Sequence, residues 1–159
     1  MHIRPFEPAD TEPIIRLSLR AWAPVFATLE PAVPGYVYAA FYPSGWRPRQ
    51  EHDIRQLLAS EAANVFVARV DDTIAGFVGI RIHPDDSMGE VYILAVDPAH
   101  QRRGVATALV EHGLDRIRAA GMTIAMVETG DDPGHDPSRA TYEQAGFERW
   151  PVARYFRKL

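Results

Sequence analysis

The chain has 159 residues, 47% hydrophobic and 24% charged, the size and balance of one globular domain (1–159) with a sizeable core. It has no cysteine, which excludes a disulfide framework, thiolate metal sites and a cysteine nucleophile. A formal charge of −4 argues against nucleic acid as a partner, because such binders carry a basic face that displaces counterions from phosphates. The opening MHIRPFEPAD lacks an apolar signal region, and no apolar run approaches the roughly 20 residues that span a bilayer. A soluble cytoplasmic protein with no membrane partner is the expectation.

Taken in order, His2 to Phe6 alternates enough for a short strand, and Asp10 is placed to cap a helix running through Arg20. Ile15, Leu19, Trp22 and Phe26 recur at helical spacing, until Pro24, Pro31 and Pro34 interrupt the pattern. Gly35 to Trp46, GYVYAAFYPSGW, is an aromatic stretch that fits either a short helix or a loop over a cleft. A second helix is expected from about Arg49 to Glu61, with Ile54, Leu57 and Leu58 inward. Val65 to Val70 and Thr73 to Ile82 then flank the turn Asp71-Asp72 as an antiparallel hairpin, and Met88 to Val96 follows as a third strand.

Asp97-Pro98 stops that strand. From Val105 the apolar residues Ala106, Leu109, Val110, Gly113, Leu114 and Ile117 trace one face of a helix, with Arg116 and Arg118 in its last turn and Gly121 just beyond. Thr123 to Thr129 is nearly continuous in apolar residues, as in a strand buried on both faces. Strand, helix and strand in that order imply a right-handed crossover between parallel strands. Gly130 to Pro137 reads as a polar loop, Ser138 to Ala145 as a short helix stopped by Gly146, and Phe147–Trp150 and Val152–Phe156 as final strands parted by Pro151. The fold class is α/β (α+β): a mixed, largely antiparallel sheet with one parallel βαβ crossover and helices on both faces.

The junction between Val96 and Ala106 carries the strongest chemical signal. A helix start leaves backbone N–H groups unpaired and carries about half a positive charge, so a Gly-containing entry lets phosphate oxygens approach. Here Arg102 and Arg103 stand beside it, where the dipole disfavours cations that have no anionic partner. The stretch is therefore expected to hold a pyrophosphate through Arg102, Arg103, Gly104, Val105, Ala106 and Thr107. Gln101 either joins them or only closes the turn. Acidic pairs at Asp71-Asp72, Asp85-Asp86 and Asp131-Asp132 suggest a cationic second ligand such as an amine. His83, His100, Asp85 and Asp86 lack the spacing of a metal set, so no metal is expected.

The order of elements, with Gln101-Arg102-Arg103-Gly104-Val105-Ala106, resembles the GNAT superfamily, the Gcn5-related N-acetyltransferases, whose acetyl-CoA signature is Gln/Arg-x-x-Gly-x-Gly/Ala. Tyr142-Glu143-Gln144-Ala145-Gly146-Phe147 matches that family's Tyr-x-x-x-Gly-Phe. The resemblance implies acetyl-CoA as acetyl donor, with the third strand splaying at a bulge so that its backbone at Leu94 and Val96 pairs with the pantetheine arm. It further implies Tyr142 as the general acid that meets the leaving thiolate, the alternative being a core tyrosine. Glu90 stands where the histone-acetylating branch has its base; as a residue it could equally be a plain strand-end carboxylate. Glu128 is another carboxylate near the cleft, and Tyr92 could line it. Relatives often carry an asparagine where this chain has His135, which could replace it as a cofactor donor, shuttle a proton or lie in solvent.

These features predict an acyltransferase moving acetyl from acetyl-CoA to a primary amine by direct attack in a ternary complex, since no cysteine can carry the acyl group. The acceptor would be a small-molecule amine or a protein N-terminus or lysine, and a homodimer is left open because dimers are frequent in the family. The alternative is a catalytically silent acyl-CoA sensor. A different phosphate-binding fold is more remote, for there is no Gly-Lys-Ser/Thr and no Gly-x-Gly-x-x-Gly.

Overall fold

Asp71 and Asp72 take left-handed φ values of 47° and 61°, the geometry that reverses a chain within two residues, and fold β2 (Val65–Val70) back on β3 (Thr73–His83). In the computed structural model, which describes residues 1–159, β1 (His2–Pro5), β4 (Met88–Val96) and β5 (Ile124–Met126) extend this hairpin into one five-stranded sheet in sequential order. The first three pairings are antiparallel and only β4 with β5 is parallel. The mixed sheet with one crossover is therefore as expected. That crossover is α4 (Val105–Ala119), ended by Gly121 in the left-handed region at φ 78°.

Helices cover both faces of the sheet. On one, Ile14 and Leu17 of α1 (Thr11–Ala32) and Ile54 and Leu57 of α3 (Trp46–Ser60) pack against Val65, Val67, Phe77 and Ala95. On the other, Val105, Leu109 and Ile117 of α4 meet Val78, Ile80, Val91 and Val96. Gly89 lies so close to Ile117 that a Cβ there would overlap its side chain, which explains a glycine inside β4. α5 (Asp136–Gln144) adds Tyr142 to Val110 and Leu114 at the far side of α4. No helix is long and apolar enough to cross a membrane.

Several local expectations are corrected. α1 does not stop near Arg20 but continues to Ala32 through Pro24 and Pro31. An interior proline costs about 3 kcal/mol. Burying Phe26, stacked on Trp46 at 4.5 Å, offsets about one of the two, because a buried aromatic contributes about 1.5–3 kcal/mol and the stacking about 1 more. The aromatic stretch forms α2 (Gly35–Phe41), and α3 starts at Trp46 rather than Arg49. β5 is a three-residue, partly exposed edge strand, not a doubly buried run over 123–129. The two C-terminal strands do not form: residues 148–159 have no regular structure, and Trp150, Val152 and Tyr155 are exposed. Pro151 removes a ladder donor there, and the segment is held only by side chains such as Arg154 on Glu128 at 3.3 Å and Phe156 against Phe41.

Asp10 sits at the N-cap of α1 without capping it. Its carboxylate instead accepts from Arg4 at 2.7 and 2.8 Å and from the Glu7 N–H at 2.8 Å, tying β1 to the helix start. Burial alone would raise this carboxyl, but those bonds and the charge of Arg4 outweigh it and hold it below the ordinary carboxylate range. Replacing Asp10 by alanine should cost about 3 kcal/mol in urea unfolding at pH 7, because the partly buried Arg4 loses its counter-charge. The folded-state value is depressed, so the wild-type contribution is complete above about pH 4 and declines as pH falls through that value.

Candidate functional site

The site is built where β4 leaves its parallel neighbour. β4 and β5 pair only over Met88–Ile124, Gly89–Ala125 and Glu90–Met126, so from Val91 to Val96 the β5-side edge of β4 has no strand beside it. On the β3 side, Gly79 pairs with Ile93 but Ile80 with Val91, which makes Tyr92 the extra residue of a bulge. Asp97 N–H bonds Ala75 C=O at 2.8 Å, and by alternation the backbone groups of Val96 and Leu94 point to the open edge. The bulge and the splay expected from the sequence are both present.

The loop that follows is anchored at its first residue. Asp97, only 7% exposed, accepts the Ala99 N–H at 3.0 Å and receives Arg20 of α1 through Nε at 3.2 Å and through a terminal guanidinium nitrogen. Burial would raise its carboxyl; the Arg20 and Ala99 hydrogen bonds and nearby positive charge reverse this and hold it below the usual range. Gln101 closes the turn, its amide Nε2 donating to Val96 C=O at 3.2 Å. His100 keeps a buried Nδ1 with no partner in the chain. Arg102 and Gly104 adopt left-handed φ values of 59° and 79°, and Arg102 and Arg103 are exposed. The helical ladder of α4 begins with Ala108 N–H on Gly104 C=O at 3.0 Å, leaving the N–H groups of Val105, Ala106 and Thr107 without helical partners.

Tyr142 enters from α5 and packs with Val110 and Leu114, with Leu94 and Val127 alongside and Phe147 edge-on at 5.9 Å. Burial pushes its phenol up to about 12. It thus stands between β4 and the chain leaving β5, beside the open edge. Glu90 occupies the last paired position before the opening, with His83 Nε2 2.8 Å from its Oε2. His135 starts α5 with its Nδ1 held by Asp132 at 2.6 Å, while Asp132 also accepts the Gly134 N–H at 3.0 Å. Glu128 accepts from Arg154 of the C-terminal segment at 3.3 Å.

Leu94, Val96 and the run Gln101–Thr107 thus form one continuous edge and loop, with Tyr142 at its side and Glu90 at its upstream end. The sequence reading did not single out Arg20, His83 or Asp132 as partners of site residues. Arg20 lies 77 positions from Asp97, and no local signal joins them. The His83–Glu90 contact was within reach once the β3–β4 register was drawn, and Asp132–His135 is an i, i+3 pair.

A splayed parallel pair, an arginine-bearing helix entry and a buried tyrosine packed beside that pair are thus gathered at one end of the sheet. Residues 35–147 match the family model for the Acetyltransferase (GNAT) family, and the chain belongs to that family. It is 34% identical over 129 residues to a mycothiol acetyltransferase of Saccharopolyspora erythraea, covering 76% of this chain and 41% of the relative. It is 29% identical over 157 residues to the mycothiol acetyltransferase of Actinosynnema mirum, covering 93% and 44%. The chain spans less than half the length of these curated relatives. The fold is similar to that of the PaiA N-acetyltransferase from Thermoplasma acidophilum in complex with coenzyme A (TM-score 0.73, 15% identity, 96% of this chain and 92% of that one). It is also similar to an aminoglycoside 6'-N-acetyltransferase from Acinetobacter haemolyticus (TM-score 0.68, 21% identity, 100% and 99%).

The Arg20–Asp97 pair spans a half-exposed guanidinium and a nearly buried carboxylate. Arg20→Met should therefore lower stability at pH 7 by about 1–2 kcal/mol, less than for a fully buried pair. Asp97 has a depressed folded-state value, so the difference from wild type should shrink below about pH 4 as the carboxyl becomes protonated; urea titrations at pH 7 and pH 3.5 compare the two.

Proposed function

We propose that this chain is an N-acetyltransferase that carries acetyl from acetyl-CoA to a primary amine by direct attack in a ternary complex. The observation that carries the reading is the continuity of the unpaired β4 edge with the arginine-flanked start of α4. An amide-bearing arm could pair with Leu94 and Val96 as an added strand. The diphosphate attached to it would then reach Arg102, Arg103 and the free N–H groups of Val105, Ala106 and Thr107. Gln101 acts by holding the loop through Val96, and His135, fixed by Asp132, offers its remaining nitrogen as a cofactor contact.

Glu90 takes a proton from the acceptor ammonium, the free amine attacks the thioester carbonyl, and the tetrahedral intermediate expels the thiolate. Tyr142, with its phenol near 12, stays protonated throughout the physiological range. Full transfer to a thiolate, whose ordinary value is about 8.5, is uphill from such a group. Its contribution is therefore mainly a hydrogen bond to developing charge on sulfur, the final proton coming from the amide nitrogen as the intermediate collapses. The absence of any cysteine in the chain removes the thioester route through the enzyme. Similarity to enzymes named for mycothiol favours a small-molecule acceptor over a protein.

Incubation with acetyl-CoA and a panel of amines, following thiol release, tests this directly. Turnover is expected with at least one amine; tight CoA binding without turnover across the panel would instead make the chain a sensor. Tyr142→Phe should reduce kcat by about 100-fold with little change in the KM for acetyl-CoA. Wild-type kcat should show no alkaline loss below pH 11 attributable to Tyr142, because donation is lost only as pH rises through about 12. Gly104→Val places a β-branched residue at φ 79°, and calorimetry should show CoA affinity falling about tenfold as the loop relaxes.

A further inference from the structure

On the β3–β4 ladder His83 pairs with Met88 and Arg81 with Glu90, so alternation puts all four side chains on one face. The opposite face carries Gly89 and Val91 against α4, which places Glu90 on the face that α4 does not cover. The direct cross-strand neighbour of Glu90 is Arg81, and simple charge pairing would join them. The structure does something else. The Arg81 guanidinium lies over the Tyr92 ring at 3.3 Å, and the carboxylate takes its diagonal neighbour His83, with Nε2 to Oε2 at 2.8 Å. Arginine cannot accept a proton, whereas a neutral imidazole can.

Acetylation of an ammonium releases one net proton per turnover: two leave nitrogen, and one of them ends on the CoA sulfur. The other must leave the base before the next cycle. The Glu90 side chain is 15% exposed and that of His83 36%, so the hydrogen bond leads from the inner group to the outer one. We propose that His83 is the exit for this proton, a relay residue acting through Glu90, which rests on the N-acetyl-transfer reading above. At rest Nε2–H donates to the Glu90 carboxylate; once Glu90 has taken its proton, the tautomer with hydrogen on Nδ1 lets Nε2 accept from the Glu90 carboxyl. The Glu90 O–H bond breaks as the Nε2–H bond forms, and the Nδ1 proton passes to water or buffer, restoring carboxylate and neutral imidazole. The other charged and titratable groups on or beside this face are Arg81, Tyr92 and, in the turn after β3, Asp85 and Asp86.

The test separates a relay from a tether. Glutamine at position 83 can still donate a hydrogen bond to Glu90 but cannot carry the proton. With an amine the wild type acetylates, in weakly buffered solution, His83→Gln should lower kcat by about 10- to 100-fold with unchanged CoA affinity. Added imidazole should restore the rate in proportion to its concentration, after subtraction of the uncatalysed reaction, while wild-type kcat stays flat. On a Glu90→Gln background the same substitution should cost nothing further and imidazole should have no effect. His83→Asn, with a shorter amide, repeats the measurement should His83→Gln fail to fold. A wild-type rate in His83→Gln, or a loss that imidazole does not restore and that is additive with Glu90→Gln, overturns the relay while leaving acetyl transfer in place. Failure of the wild type with every amine overturns the underlying reading as well.

Discussion

The parting of β4 from β5 after Glu90 and Met126 is the constraint on which the candidate site depends. A strand that separates from its neighbour leaves backbone donors and acceptors to be met by solvent, side chains or a ligand, as Gln101 meets Val96 C=O here. Here the parting is enforced from several sides. The bulge at Tyr92 changes the course of β4, while Leu94 and Val127 pack with Tyr142 and Phe147 in the space that further pairing would occupy. At the downstream end Arg20 fixes Asp97, so the loop leaves β4 in one direction.

The sheet also sorts its chemistry by face. α4 seals one side with aliphatic contacts that demand a glycine at position 89, while the other side between β3 and β4 carries Arg81, His83, Glu90 and Tyr92. Helices α1 and α3 cover part of that second face and leave the polar part at its edge. A net charge of −4 coexists with a cationic loop: Arg102 and Arg103 are exposed and form no ion pair, while Asp10 and Asp97 are paired with Arg4 and Arg20.

The legible parts of the molecule were those written in local periodicity. The bounds of β2, β4 and α4, the Asp71-Asp72 turn and the inward residues of α3 follow from patterns within a few residues. The errors lie where distant contacts overrule local preference. α1 runs on past Pro24 where Phe26 is buried on Trp46, β5 is cut short because β4 turns away, and the C-terminal segment, interrupted by Pro151, pairs with no strand.

For the site, the sequence by itself determined the chemistry available: arginines and a glycine before a helix, a tyrosine ahead of Gly-Phe, a glutamate leading an apolar strand, and no thiol. These are properties of residue type and short spacing, and a linear reading captures them. Tertiary structure alone decided how they meet. The choice of His83 over Arg81 as the partner of Glu90 depends on which way two neighbouring side chains lean, and the clamp of Arg20 on Asp97 joins residues 77 positions apart. Both are set by packing across the sheet, which a one-dimensional pattern does not encode.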